Sequence, residues 1–434
     1  MKVLHVSIGD FSGGAARAAY RVHHSQVVAG IDSQMLVLYK ETNDDRVVEA
    51  PKPLLRSLYQ RLGQYRLNYR QRGWSADQFV YCNFGNNSAG LVNEINESGA
   101  DIVNLHWVCN MLSIKDIARL RKPIVWTLHD MWAFCGGEHY VQDGDAARFR
   151  CGYLPGNRPE GETGADLNRK TWENKCRYWI NQNFTIVCPS CWLADCAKKS
   201  VLLANKSIHV IPNPLDLDTV WKPLDCSAVR VVLGLPKDKK LILFGAVGGT
   251  ADLRKGADLL SLAVRQVAEK MPGRVELMIY GQEEKRMKGV WPCPVHWLGE
   301  VRDDRVLAQI YCAADVMIVP SRQDNLPNTA VEAQACGTPV VAFDVGGLPD
   351  IVSHRKTGWL AKPYDTSSLA EGVLWLLGDE VRLSELSVAA RKRAVEHYTE
   401  HVVGRSYGEL YEELKNQAFA AQSYVSSDES VGRW

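Results

Sequence analysis

No stretch of about 18 consecutive apolar residues occurs in the chain, so no membrane-spanning helix is expected. Net charge is almost absent as well. Lys and Arg number 51 and Asp and Glu 50, leaving +1, which argues against nucleic acid as a partner. A hydrophobic leader is lacking: the apolar start from Val3 to Ile8 is interrupted at once by Gly9-Asp10. It reads as a first buried strand and not as a signal peptide. A second Cys-x-x-Cys is missing beside Cys188-Pro189-Ser190-Cys191. The 12 cysteines, with no secretory signal, are therefore expected as reduced thiols in a cytoplasm, with no metal site. The glycines after the first strand, Gly9, Gly13 and Gly14, fall short of the full dinucleotide fingerprint, which weighs against NAD. Acidic residues are absent between Pro51 and Ala76, where Lys52, Arg56, Arg61, Arg66, Arg70 and Arg72 occur with Leu54, Leu58, Leu62 and Tyr65 at helical spacing. Such a helix either packs on its own domain with a solvated basic face or lies, through residues 52–72, on an anionic membrane surface.

What the chain does contain is repeated strand–helix alternation. At 434 residues, 46% of them hydrophobic, it is too long for one core, and two or three domains are expected. Strands are read at Val3 to Ile8, Met35 to Tyr39, Asp101 to Leu105, Pro123 to Leu128 and Phe184 to Val187. Further strands are read at Leu241 to Ala246, Val275 to Tyr280, Val295 to Leu298, Val316 to Val319 and Val340 to Phe343. The fold class is thus α/β with parallel sheets. After Gly13-Gly14 a helix is read from about Ala15 to Val28, with Gly30 as its stop. Two strands end in histidine, His106 and His129, which puts both imidazoles at one sheet edge. Phe134 to Trp179 is expected to be irregular, and its Asp143-Gly144-Asp145 is read as turn chemistry. Pro212-Asn213-Pro214 is a stiff linker. From Ser367 onward the pattern is helical, with a frayed polar tail beyond Phe419.

The most informative stretch runs from Pro320 to Ala342. Its polar turn Ser321-Arg322-Gln323-Asp324-Asn325-Leu326-Pro327 leads into a helix from about Pro327 to Cys336, with Asn325 as the expected N-cap. Gly337 supplies the stop and Pro339 prevents continuation. Asp324, then Glu332 eight positions on, then Ala333-Gln334-Ala335-Cys336-Gly337-Thr338-Pro339-Val340-Val341-Ala342 resembles the signature of the retaining family-four glycosyltransferases. Thr127-Leu128-His129-Asp130-Met131-Trp132 resembles a motif of exopolysaccharide glycosyltransferases of the colanic acid type. Arg254-Lys255-Gly256 resembles the family's phosphate-binding turn.

The resemblance implies two doubly wound, Rossmann-like domains facing across a cleft, the B-type architecture. Residues 1–212 would bind the acceptor, residues 218–399 the nucleotide-sugar donor, and a helix near 400–420 would return to the first domain. It implies that Asp324 and His129 meet the donor sugar or the reacting centre. Glu332 would hold the ribose hydroxyls, and Asn325 and Leu326 would line the donor site. Lys255, with Arg254, would neutralise the diphosphate, while Gly13 and Gly14 would face the phosphates and the acceptor. The family carries Glu where this chain has Asp324, and its usual cation after Gly245 is here Ala246. No cofactor is implied; a nucleotide-diphosphate sugar is the substrate, and a saccharide or lipid-linked oligosaccharide the acceptor. The location expected from the cysteines is cytoplasmic, and it is peripheral at the inner membrane face if residues 52–72 lie on a membrane. Two rivals stand beside a surface-polysaccharide transferase: a nucleotide-sugar epimerase, and a non-catalytic protein that binds nucleotide or saccharide.

Overall fold

The computed structural model describes residues 1–51, 81–245, 252–281 and 291–428, and side chains as far as residue 417. The basic helical pattern at 52–72 lies outside the described residues. So do residues 246–251, the start of the loop before Lys255. Among the described residues no helix is long and apolar enough to cross a membrane.

Thirteen strands are described. They are β1 (Lys2–Gly9), β2 (Asp32–Tyr39), β3 (Val47–Glu49), β4 (Ile102–Leu105), β5 (Ile124–Thr127), β6 (Phe184–Cys188) and β7 (Ser207–Val210), then β8 (Lys240–Gly245), β9 (Val275–Tyr280), β10 (Val295–Gly299), β11 (Val316–Val319), β12 (Val340–Phe343) and β13 (Gly358–Ala361). The first seven form one parallel sheet in the order β3-β2-β1-β4-β5-β6-β7. The other six form a second, β10-β9-β8-β11-β12-β13. Both are doubly wound Rossmann-like sheets, as the strand–helix alternation predicts. Their strands are short apolar runs because helices cover both faces of a parallel sheet. In β8, Leu241 and Leu243 enter one core cluster while Ile242 and Phe244 enter the other, on the opposite face.

The chain divides into two compact units. Met1–Pro189, Ala194–Pro214 and Glu400–Trp434 make the first; Ser190–Leu193 and Leu215–Thr399 make the second. The last helix, Glu400–Asp428, packs on the first, Gly14–Val28. Gly404 permits this close approach, because a Cβ there would sit 2.4 Å from the carbonyl oxygen of Ser25.

Three local expectations need correction. A helix, Leu167–Trp179, occupies the end of the segment expected to be irregular; Asp166 caps it by accepting from the Arg169 amide at 2.8 Å. The tail continues helically to Asp428, since residues 420–427 contain neither glycine nor proline to stop it. The helix after the signature turn is Asn328–Ala335 with Pro327, not Asn325, at the N-cap. Pro327 carries no N–H, so that end needs one partner fewer. Gly337 does end this helix, at φ 79°, and Thr338 N–H closes back on Ala333 O at 2.8 Å.

Candidate active site

Ligands of open parallel sheets bind at the carboxyl edge where strand order reverses. In the second sheet that point lies between β8 and β11. The loop after β8 carries Arg254 and Lys255; the loop after β11 carries Asp324. Lys255 Nζ donates to Asp324 Oδ2 at 2.6 Å, and Arg254 Nη1 lies 3.4 Å from Asp324 Oδ1. Arg254 also donates to Gln323 O at 3.0 Å and to Asp252 Oδ2 at 2.9 Å. Burial pushes the Asp324 carboxyl up, but the charges of Lys255 and Arg254 outweigh it and hold the group below the usual carboxylate range. Two loops separated by 69 residues therefore meet in one charge cluster with two cations on one buried carboxylate.

Backbone contacts hold this cluster in place. Arg322 N–H donates to Arg254 O at 2.7 Å, and Gly347 N–H to Asp324 O at 3.0 Å. Gly347 belongs to the Gly346-Gly347 loop after β12. A Cβ on it would lie 1.6 Å from Asn325 O, so only glycine lets the two loops touch. Asn325 is buried, and its amide N–H donates to Asp324 Oδ1 at 3.1 Å. Leu326 is buried, and its side chain joins the hydrophobic core of the second unit. Glu332, 3% exposed, accepts from Tyr311 Oη at 2.9 Å, and Tyr311 in turn contacts Tyr280 Oη at 2.5 Å. Both tyrosines escaped sequence reasoning, because their motif-free positions betray nothing until the helix Asp304–Ala313 packs beside Asn328–Ala335.

In the first sheet the reversal lies between β1 and β4. Gly13 has φ 95°, a left-handed value that suits glycine, and the helix begins at Gly14, one residue before the expected start near Ala15. Asp10, fully buried, accepts from the amides of Glu41 and Thr42 at 2.8 and 3.0 Å and ties the glycine turn to the loop after β2. β4 and β5 pair in parallel with Leu105 opposite Trp126, which brings His106 and His129 to one edge. His106 Nδ1 and His129 Nε2 are 3.0 Å apart. Burial drives the His129 pKa from 6.5 down to about 4, partly opposed by Asp130, so the imidazole is neutral. Asp130 itself accepts from Trp107 Nε1 at 3.0 Å and pairs with His139 Nδ1 at 2.6 Å.

Lys175 is the larger surprise. It is fully buried, and its ammonium donates to the carbonyls of Trp132, Cys135 (3.1 Å) and Gly136 (2.7 Å). It thereby holds the turn that follows His129-Asp130. Burial lowers its pKa to about 8 and raises that of neighbouring Glu138 to about 7. Asp143-Gly144-Asp145 is a turn bound to Arg150, at 2.6 Å through Asp143. Of the Cys-x-x-Cys pair, Cys188 is buried in β6 while Cys191 is exposed at a helix start. Among the described residues no three His, Cys, Asp or Glu side chains gather to hold a metal.

A pH dependence follows from His129. Between pH 6.5 and about 4 the unfolded chain binds a proton there that the folded chain refuses, so stability falls as pH drops through that window. The melting temperature is expected to fall between pH 7.5 and pH 5, and to fall less in a His129→Gln protein. Equal falls in both, measured by thermal shift, would rule out the neutral state of His129.

Comparison with known proteins agrees with this fold. The family described as Glycosyltransferase Family 4 matches residues 12–219, and Glycosyl transferases group 1 matches residues 240–379. The D-inositol 3-phosphate glycosyltransferase of Xylanimonas cellulosilytica is 39% identical over 200 residues, 42% of this chain and 46% of that protein. The chain thus spans about half the length of the curated relatives it matches. Among solved structures, sucrose-phosphate synthase from Thermosynechococcus elongatus superposes with a TM-score of 0.65 at 20% identity, covering 97% of this chain and 100% of that one. HepE from Anabaena, solved in complex with UDP-glucose, gives 0.62 at 17% identity, covering 95% and 100%. One glycosyltransferase family model thus matches in each half of the chain, and the solved structures share its fold of two parallel-sheet, Rossmann-like domains, the B-type architecture.

Proposed function

We propose that this protein transfers a glycosyl unit, with retention of configuration, from a nucleotide-sugar donor to a hydroxyl group of a saccharide or lipid-linked saccharide in surface-polysaccharide synthesis. The observation that carries the reading is the meeting of Lys255 and Arg254 on Asp324 at the strand-order reversal of the second sheet. Cations held there neutralise charge as it grows on a departing diphosphate. Asp324 takes the donor sugar's hydroxyls, Glu332 the ribose, and neutral His129 a sugar hydroxyl. The bond from the anomeric carbon to the diphosphate oxygen breaks as the acceptor oxygen bonds to that carbon on the same face. The acceptor proton passes to the leaving phosphate, so no enzymic nucleophile or metal is invoked. The protein's part is positioning and charge stabilisation.

The likeness to D-inositol 3-phosphate glycosyltransferases favours a second acceptor, a phosphorylated cyclic polyol. Incubation with UDP- and GDP-sugars, crossed with saccharide, lipid-linked and inositol-phosphate acceptors, separates the readings. Release of nucleoside diphosphate with a matching mass gain on an acceptor supports transfer and names its class. A changed sugar on an intact nucleotide would mean an epimerase, and binding without turnover on any acceptor would mean a non-catalytic protein.

A further inference from the structure

Three histidines of the first unit, His5 and His106 buried and His129 half-buried, stand in one hydrogen-bonded row, and the row has a far end. His5 Nε2 meets Gln26 Oε1 at 2.9 Å, His5 Nδ1 meets His106 Nε2 at 2.8 Å, and His106 Nδ1 meets His129 Nε2 at 3.0 Å. His5 and Gln26 are fully buried, and His106 is 2% exposed. Gln26 is itself held: its Nε2 donates to Tyr411 Oη at 2.8 Å, an oxygen that also accepts from Asn104 Nδ2 at 2.8 Å. Tyr411 comes from the last helix, 385 residues away.

A neutral imidazole carries one N–H, so each ring can donate from only one nitrogen. The Gln26 oxygen accepts only, which puts the His5 proton on Nε2. The lone pair of His5 Nδ1 then requires the His106 proton on Nε2. By the same step, the lone pair of His106 Nδ1 requires the His129 proton on Nε2. The order cannot be broken at one ring without leaving two lone pairs or two protons face to face in the core, which costs the full desolvation of a buried polar group. Burial keeps the row neutral: it lowers the His5 pKa to about 3, with help from the nearby His23, and that of His129 to about 4 against the pull of Asp130.

We propose that Gln26 is a positioning residue: seated by Tyr411, it determines through His5 and His106 that His129 carries its proton on Nε2 and a lone pair on Nδ1. Any hydrogen bond made at His129 Nδ1, such as one from a sugar hydroxyl, is then one that it accepts and not one that it donates. This inference rests on the role given to His129 under the proposed function.

The test is selective ¹⁵N-histidine labelling of the full chain, with two-bond imidazole correlation spectra that distinguish the tautomers, and resonances assigned with His5→Gln, His106→Gln and His129→Gln. The wild type is expected to show His129 as the single Nε2–H tautomer. Gln26→Leu, or Tyr411→Phe should the first variant fail to fold, is expected to give a mixture. An Nδ1–H tautomer in the wild type, or an unchanged single tautomer in a folded Gln26→Leu or Tyr411→Phe protein, overturns the proposal. With nucleotide sugar and acceptor, Gln26→Leu should lower kcat roughly tenfold, the scale of one misdirected hydrogen bond. It should have no further effect in a His129→Ala background. A full additional loss in that background would mean that Gln26 acts otherwise than through His129. Transfer unaltered in His129→Ala alone would remove the assigned role of His129 while the tautomer result still stood.

Discussion

Alanine in place of Lys255 is expected to lower kcat/KM for the nucleotide sugar by roughly tenfold to a hundredfold. The loss of one hydrogen bond to a charged group removes about 1.5–3 kcal/mol, and each 1.4 kcal/mol is a factor of ten. Two effects add. The diphosphate loses a cation, and Asp324 loses the partner at 2.6 Å that keeps its buried carboxylate ionised. Arg254 remains, at 3.4 Å, so the carboxylate is weakened in its pairing but not orphaned. Combining Lys255→Ala with Asp324→Asn distinguishes the two effects: the second vanishes in the double variant, and the first persists. Steady-state kinetics and a melting curve are the measurements. Unaltered kinetics in a folded Lys255→Ala protein would remove the phosphate role.

The largest effect on stability is expected next door, at Gly256. Its φ is 70°, and a Cβ there would sit 1.9 Å from the carbonyl oxygen of Pro320. Gly256→Ala thus combines a left-handed backbone with a collision against main chain that no rotamer relieves. Together these cost about 2–5 kcal/mol. For a domain of this size the melting temperature should fall by roughly 5–20 °C. Gly234 is the control: its φ is 66°, but nothing lies within 4 Å of an added Cβ, so Gly234→Ala should show only the smaller backbone cost. Equal losses in the two variants would show that the contact with Pro320 has no weight. Because Pro320 opens the loop that carries Asp324, Gly256→Ala is also expected to separate Lys255 from its carboxylate and to weaken donor binding.

Much of this was legible in the chain itself. The run Val316–Val319, the glycine stop at Gly337 and the strand Val340–Phe343 lie within 28 residues and are governed by local rules of burial, capping and proline geometry. Asp324 and Glu332 stand out only through the resemblance of the whole run to the glycosyltransferase signature, since local rules assign no role to an acidic pair at that spacing. Local rules fail where several signals compete. Asn325 has a good N-cap side chain, but the rigid φ of Pro327 takes that position. Phe134–Trp179 looked irregular because its glycines and prolines are conspicuous, whereas the helix Leu167–Trp179 has a polar exposed face.

The amino-acid order by itself determined the parallel α/β class, the strand–helix units and the acidic, glycine-marked turn of the signature. Only the tertiary structure decided which partners those residues have. Lys175 reaches the turn after His129 from more than 40 residues away, and the glutamine at the end of the histidine row is seated by a tyrosine of the last helix. These links depend on strand register and helix packing, which are set by burial summed over whole sheets. No single window of the chain contains that sum.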